Sequence, residues 1–444
     1  MQMFIFMFAV TNIPSLEGGS YVHDQEWFKR KSDEAYNASL KSYHHDPIEV
    51  VNDFNHHVHR ALDGQNSTRR GLGRKYHGEC KAQNPIDRCW RCDDNWAKNR
   101  KKLAKCVKGF GRNTTGGADG EFYIVTDPSD NDVVTPKPGT LRFAVLQPRP
   151  LWIIFDRDMK IKLQNELMVT SNKTIDGRGH TIQICGKDAI LINLTTNNHL
   201  KLFAKNVIIH NLKIHDIAPG KGGMMRDTAE HVGIRGTDDG DCIGLFAASD
   251  VWIDHISMWN CRDGMIDIVK GSTGITISNV HLTKHDHVFL FGASDSDPND
   301  SIMQITLAFN HFGKGLIQRM PRCRYGFFHV VNNDYTHWLM YAVGGSSHPT
   351  IISEGNRYIA PPDPNAKLIT HRNFASEEEW KKWQWRSEND VFIDGAYFVE
   401  SGEPFKEKQT PFSNKAFIQS KPGSYVRRLT RFSGFVKCIE GTKC

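Results

Sequence analysis

The chain has 444 residues, of which 39% are hydrophobic and 24% charged, with 56 Lys and Arg against 50 Asp and Glu. That balance excludes intrinsic disorder and a collagen-like fibre, and it supplies enough apolar surface for one large core. The formal charge of +6 is compatible with a polyanionic partner, an acidic glycan or a nucleic acid, and selects neither.

At the start, Met1 to Pro14 read MQMFIFMFAVTNIP. This run lacks a basic start and is too short to span a bilayer, so residues 1–19 are expected to be an abbreviated secretion signal rather than a buried N-terminal segment. No later apolar stretch is long enough to cross a membrane, and a secreted product with no membrane partner is expected. Residues 20–110 read as an N-terminal extension. Apolar positions at Ala35, Leu40, Val50, Val51, Phe54 and Val58 predict one or two amphipathic helices between Tyr21 and Asp63. After the linker GQNSTRRGLGRKYHG comes a module with Cys80, Cys89, Cys92, Cys106, Trp90 and Trp96. Cys89-x-x-Cys92 has zinc-ligand spacing, but there is no equally good second pair. At least two disulfides in an oxidising compartment are the better account of the ten cysteines. Asn-x-Ser/Thr sites at Asn37, Asn66, Asn113, Asn172 and Asn193 fit a secretory route.

Beyond Gly120 the texture changes to short strands at near-regular intervals, among them LWIIFD, NVIIHNLKIH, DVWIDHISMW, TGITISNVHL and MQITLAFNHF. His255, Asn279, Asn310, Asn333 and Asn356 close one set of apolar patterns at intervals of 24, 31, 23 and 23 residues. A second set begins at Cys242, Gly264, His287, Gly315 and Trp338, at intervals of 22, 23, 28 and 23. Such a period is one turn of a solenoid, because no long helix fits between most strands. An all-β chain coiled into a parallel β-helix over residues 111–400 follows, with equivalent strands about 4.8 Å apart in successive coils. The stacked Asn side chains are expected to satisfy turn amides. Ser376 and Glu379 make a capping box before Trp380, Trp383 and Trp385, predicting a short helix over the open end of the solenoid. Residues 401–444 are expected to pack on it as a C-terminal segment.

The chemistry concentrates in consecutive coils. Asp238, Asp239 and Asp241 precede one strand, and Asp263 and Asp267 follow one coil later. Carboxylates so placed raise one another's pKa values unless a cation is present. Oxygen-only ligands favour a hard cation, and Ca2+ tolerates an irregular site better than magnesium does. The plainer reading, aspartates that merely start turns, suits each residue singly better than it suits the set. Positive groups follow: Lys284, His287, then Arg319, Arg322 and Arg324 in QRMPRCR, where Pro321 interrupts regular pairing. Arginines facing metal-held carboxylates suit a substrate that itself carries carboxylates.

The motifs WIDH at Trp252 to His255, DGMID at Asp263 to Asp267, GIRGTDDGD, NPIDRCWRC and above all GLIQRMPRCRYGFFHVVNNDYTHW closely resemble the pectate lyases of polysaccharide lyase family 1, particularly the plant, pollen-type members. The resemblance runs from the Cys-containing extension almost to the C-terminus. It implies a right-handed single-stranded parallel β-helix and calcium-dependent eliminative cleavage of α-1,4-linked polygalacturonate, that is, demethylated pectin. The implied calcium ligands are Asp241, Asp263 and Asp267, with Asp239 as a further one. Arg319 takes the place of the catalytic base and Arg324 that of a substrate-binding arginine, with Arg322, His287 and Lys284 as further substrate contacts. An arginine base is chemically demanding, since its reference pKa exceeds 12. Two positions depart from the family pattern: His287 stands where lysine is common, and Ala293 where histidine is common. Lys284 is not equivalent in position to the missing lysine. Cys242, often alanine in relatives, is expected to be a buried free thiol. A monomer acting on polygalacturonate in the cell wall is expected. The alternatives are a non-enzymatic or weakly active protein that binds acidic glycans, a polygalacturonase, and a pectin lyase. Nucleic acid is not an expected partner, because no aromatic-basic motif of suitable geometry occurs.

Overall fold

A computed structural model describes residues 33–34, 36–63, 80–187, 190–193, 195–196, 201–202, 204–403 and 417–444. The expected signal at 1–19 and the linker at 64–78 lie outside them. Among the described residues no helix is long and apolar enough to cross a membrane.

Three sheets of parallel strands stack along the chain. The longest has ten strands, beginning at Glu121–Val125 and Leu151–Phe155 and ending at Thr350–Glu354 and Trp385–Glu388. A second has nine, from Met159–Leu163 to Val391–Ile393. The third carries Ile243–Phe246, Gly264–Val269, His285–Phe291 and Arg322–Arg324 side by side. This is the parallel β-helix expected from the repeat. Its interior is made of aliphatic rows: Ile153, Ile175, Ile209, Ile253, Ile277, Leu307 and Val330 oppose one another in register, all fully buried. Truncating one such side chain to alanine typically costs about 2–5 kcal/mol.

The asparagine ladder exists, shortened by a register slip. The backbone N–H of Val280 donates to Asn310 Oδ1 at 2.9 Å, that of Asn310 to Asn333 Oδ1 at 2.9 Å, and that of Asn333 to Asn356 Oδ1 at 2.8 Å. His255 and Asn279 do not belong to it. Ser278 pairs with Ala308, which puts Asn279 opposite Phe309, and both lie in the left-handed region with φ of 51° and 58°. The interval of 31 therefore combines a coil of 30 residues with a slip of one. The second series slips likewise: Gly264 pairs with His287, but Cys242 lies one place and Gly315 three places out of that row.

The N-terminal extension covers the outer face of the ten-stranded sheet. Helix Pro47–Asp63 buries Ile48, Val51, Phe54, Val58 and Leu62 along one stripe, and Phe54 stacks on Phe309 at 5.5 Å. Trp90 and Trp96 join Trp152, Ile208 and Trp252 in one apolar cluster. The chain then crosses the sheet. The N–H groups of Phe110, Gly111 and Gly117 donate to the hydroxyls of Thr306, Thr276 and Thr174 at 3.1, 2.9 and 2.9 Å. At Gly117 a Cβ would lie 1.8 Å from the Leu151 carbonyl oxygen, so only glycine permits the crossing.

Four disulfides join Cys80–Cys92, Cys89–Cys106, Cys242–Cys261 and Cys438–Cys444. Cys89 and Cys92 thus enter different bridges rather than a zinc site. Cys242 is bonded, contrary to the free thiol expected of it; the free buried thiols are Cys185 and Cys323. Helix Glu377–Trp380 forms with Ser376 as its cap, whose hydroxyl accepts from the Glu379 N–H at 3.3 Å. Trp380 packs against the core, and Trp385 lies in the last strand of the ten-stranded sheet.

One buried ion cluster ties the extension to the solenoid. His255 Nε2 meets Asp87 Oδ1 at 2.7 Å, its Nδ1 meets the Gly434 carbonyl oxygen at 2.8 Å, and Arg91 reaches Asp87 Oδ2 at 2.7 Å. Both imidazole nitrogens face acceptors, which calls for the imidazolium. Burial alone would lower the His255 pKa, but Asp87 and Asp254 outweigh it and raise the value. Stability from this contact is therefore present at acid pH and declines as pH rises through the raised value. Asp87→Asn should cost about 3 kcal/mol at acid pH in denaturant unfolding. The penalty should shrink at higher pH, leaving only the part due to Arg91.

Candidate active site

The acidic residues come together at the edge of the third sheet. Asp239 and Asp241 lie just before strand Ile243–Phe246, and Asp263 just before Gly264–Val269. One carboxylate oxygen from each lies within 4.8 Å of the others. The disulfide Cys242–Cys261 and the Arg262 N–H, which donates to the Gly240 carbonyl at 3.0 Å, tie the two acidic segments to each other across successive coils. Asp241 Oδ1 accepts the Gly264 N–H at 2.6 Å. Asp267 lies within strand Gly264–Val269. A Cβ on Gly264 would stand 2.2 Å from Asp267 Oδ1 and 2.8 Å from Asp241 Oδ1, so glycine there keeps open the space between two carboxylates.

Electrostatically the cluster is incomplete. Burial, then Asp267, pushes Asp241 well above the usual carboxylate range, and burial, then Asp263, does the same to Asp267. Asp239 is raised by burial and by Asp238. Asp263 moves the other way, because the His287 imidazole bonds to it. Asp267 Oδ1 is buried with no hydrogen-bond partner. An orphaned carboxylate oxygen, a space that a Cβ would fill and an all-oxygen donor set fit a hard cation.

The basic residues occupy the next two coils. His287 pairs across the sheet with Gly264, and its Nδ1 lies 3.2 Å from Asp263 Oδ1, so the ring is engaged with the acidic trio. Lys284 lies exposed at the turn before that strand, with φ of 53°. On the following coil Gln318 pairs with His287 but Arg322 with Leu290, so one extra residue is inserted between. Arg319 lies within that bulge at φ of 60°; bulges of this kind re-aim side chains. Its charge reaches Asp263 and Asp267, and its Nε is buried without a partner. Arg324 is buried and clamped, Nε donating to Asp295 Oδ1 at 2.8 Å and Nη1 to the Gly292 carbonyl at 2.6 Å. Arg322 is buried as well, 5.8 Å from the Phe374 ring centre.

Two neighbours escaped sequence reasoning. Asp295, which also accepts from Ser346 and Ser347 at 2.6 and 2.8 Å, holds Arg324 in place. The phenol of Tyr341 sits beside Arg322 and Arg319, its pKa raised by burial and partly restored by their charges. Both come from segments distant in the chain, and only the register of the coils brings them here. The side of the cluster facing Arg319 thus holds acids, a buried unpartnered guanidinium edge and two further arginines.

Comparison with known proteins agrees with this arrangement. A sequence family described as pectate lyase matches residues 158–377, and one described as pectate lyase, N terminus, matches residues 22–72. A pectate lyase from Lilium longiflorum is 54% identical over 443 residues, covering 100% of this chain and 99% of the relative. A probable pectate lyase from Solanum lycopersicum is 52% identical, covering 100% and 98%. The crystal structure of jun a 1, the major allergen from cedar pollen, superposes with a TM-score of 0.74 at 43% identity, over 80% of this chain and 99% of that one. A thermostable pectate lyase at 19% identity and TM-score 0.55 shares the fold. With near-complete coverage at more than half identity, over a solenoid of the same shape, the chain belongs to the plant pectate lyases and is a lyase.

Proposed function

We propose that the chain cleaves polygalacturonate by calcium-dependent elimination, as a secreted monomer of the cell wall, leaving oligosaccharides with 4-deoxy-α-D-galact-4-enuronosyl ends. The observation that carries this is the acidic cradle around Gly264, short of positive charge, with Arg319 within electrostatic reach. Asp239, Asp241, Asp263 and Asp267 would hold the ion. Bound there, calcium would neutralise uronate carboxylate charge and so ease loss of the neighbouring proton.

The chain's own residues do the rest. Arg324, fixed by Asp295 and Gly292, and Arg322 beside it orient a uronate carboxylate through paired N–H donors. Arg319, once its guanidinium has given up a proton, takes the proton from C5. The electron pair forms the C4–C5 double bond, the bond from C4 to the glycosidic oxygen breaks, and that oxygen leaves as a hydroxyl with a proton from water. Lys284, exposed at the rim, adds positive charge toward the polymer. His287, bonded to Asp263, acts on the acidic set and tunes it, rather than replacing a lysine on substrate.

Three outcomes test this reading. Polygalacturonate digestion should generate ultraviolet absorbance from the new conjugated double bond; a chelator should abolish it and added calcium restore it. Absorbance insensitive to chelator would sink the metal's role, and chain scission without absorbance would mean hydrolysis. Arg319→Lys, with an unchanged circular dichroism spectrum, should lower turnover by at least about 100-fold, the lower range for loss of a general base. The raised pKa values of Asp241 and Asp267 also set a direction with pH. A carboxyl whose folded pKa lies above its unfolded one loses stabilisation as pH rises between the two. The chelated protein should therefore melt at progressively lower temperature as pH climbs from the ordinary carboxylate range through neutrality. Calcium should reverse that trend, with proton release measurable by calorimetry in buffers of different ionisation enthalpy.

A further inference from the structure

The Cys-stapled module carries a second charged concavity, made by residues that take no part in the acidic site. The short 3₁₀ segment Arg100–Lys105 buries Leu103 and Ala104, and it leaves Lys102 and Lys105 exposed three residues apart, on one face. Lys98 is exposed just upstream and Lys101 is half-buried. The opposite wall is strand Glu121–Val125, the terminal strand of the ten-stranded sheet, whose Phe122 is 47% exposed. Between them lies a depression of about 560 Å3 lined by Lys98, Lys101, Lys102, Lys105, Asp119 and Phe122 among others. That volume is within the usual range for small-molecule sites.

The charges there do not cancel. Lys102 Nζ lies 3.7 Å from Asp93, and Asp119 stands on the rim, against four ammonium groups. Lys101 donates to the Gly120 carbonyl while its Nζ lies 5.2 Å from the Phe122 ring centre, so it anchors the wall. A basic run is most often just a solvated face. This one is concave, with four lysines and an exposed aromatic ring lining one space. Carboxylates for the lysines and an apolar ring face for Phe122 are found together in a uronate sugar.

We propose that this depression is an anchoring site for a segment of acidic polysaccharide, with its carboxylates on Lys98, Lys102 and Lys105 and one sugar ring against Phe122. The choice of polymer rests on the proposed polygalacturonate substrate. The acids and arginines of the reaction site belong to a different sheet, so a chain held at the depression leaves that site open to another stretch of polymer. Such a tether raises the effective concentration of substrate without changing the chemical step.

The test uses the full-length protein on immobilised polygalacturonate in chelator, where the acidic site holds no metal. Wild type should be retained at low salt and released as salt rises. Lys98→Ala, Lys102→Ala and Lys105→Ala combined, sparing Lys101, should abolish that retention. With calcium restored, the same triple variant should show KM for long polymer raised on the order of tenfold, with kcat and the turnover of trigalacturonate unchanged. Phe122→Ala should weaken binding of polygalacturonate more than binding of inorganic polyphosphate. Unaltered retention of the triple variant would overturn the proposal. So would polyphosphate binding as tight as polygalacturonate binding with no effect of Phe122→Ala. Retention without any unsaturated product would instead refute the elimination reading and leave the anchoring site standing.

Discussion

Parallel hydrogen bonding between coils, held in register over many turns, is the constraint from which the rest follows. It places each residue about 4.8 Å from its equivalents one coil before and after. Like then stacks on like. For the row from Ile153 to Val330 this is favourable, because aliphatic side chains pack on one another away from water. For Asn310, Asn333 and Asn356 it is also favourable, since each amide oxygen satisfies a backbone N–H of the preceding coil. The aspartates form no such row: Asp267 pairs with Gly244, and the glycine at 264 leaves room for the carboxylates of Asp241 and Asp267 side by side, which is electrostatically costly. Asp241 and Asp267 are crowded by the register that packs the core, and their shifted pKa values record an electrostatic debt that a divalent cation can cancel.

Much of this was legible in the amino-acid sequence, and the failures have a common cause. Periodicity disclosed the solenoid, and acids one coil apart disclosed a cluster. Spacing counted in whole coils cannot show where a coil gains or loses one residue. Hence His255 and Asn279 were read into a ladder that begins with the bond from Val280 to Asn310, and Cys242 was aligned one position away from its true partner row. Pairing of Cys242 with Cys261 was hidden for a related reason: three strands separate them, and only the closure of the coil brings the two together. Asp239 comes within 4.8 Å of Asp241 and Asp263, and Asp267 meets Asp241 beside Gly264, a grouping that spacing alone does not resolve.

The arginine segment shows what a single register break achieves. Between Gln318 and Arg322 the chain gains one residue relative to the coil before it. Without that residue, Arg319 would continue a regular strand whose side chains alternate between core and surface. With it, the backbone turns through the left-handed region, and the guanidinium comes to lie near the acids while Arg322 and Arg324 resume the strand. The neighbouring contact of His287 with Asp263 gives the departure from lysine a physical meaning. A shorter side chain stops at the acidic set instead of reaching beyond it, and it lowers the pKa of the one member that is not raised.

The strap of backbone from Phe110 to Gly117 bears on how the molecule comes apart. A bare solenoid is nearly one-dimensional, each coil held only by its neighbours, so it frays from either end and can lose coils one at a time. Here one stretch of chain is hydrogen-bonded to Thr306 and Thr276, on adjacent turns, and to Thr174, several turns before them. Peeling any of those turns away strains its bond to the strap, and releasing the strap uncovers the outer face of several turns together. Local fraying is thereby converted into an all-or-none event, which would leave few partly opened forms for a protease to cut.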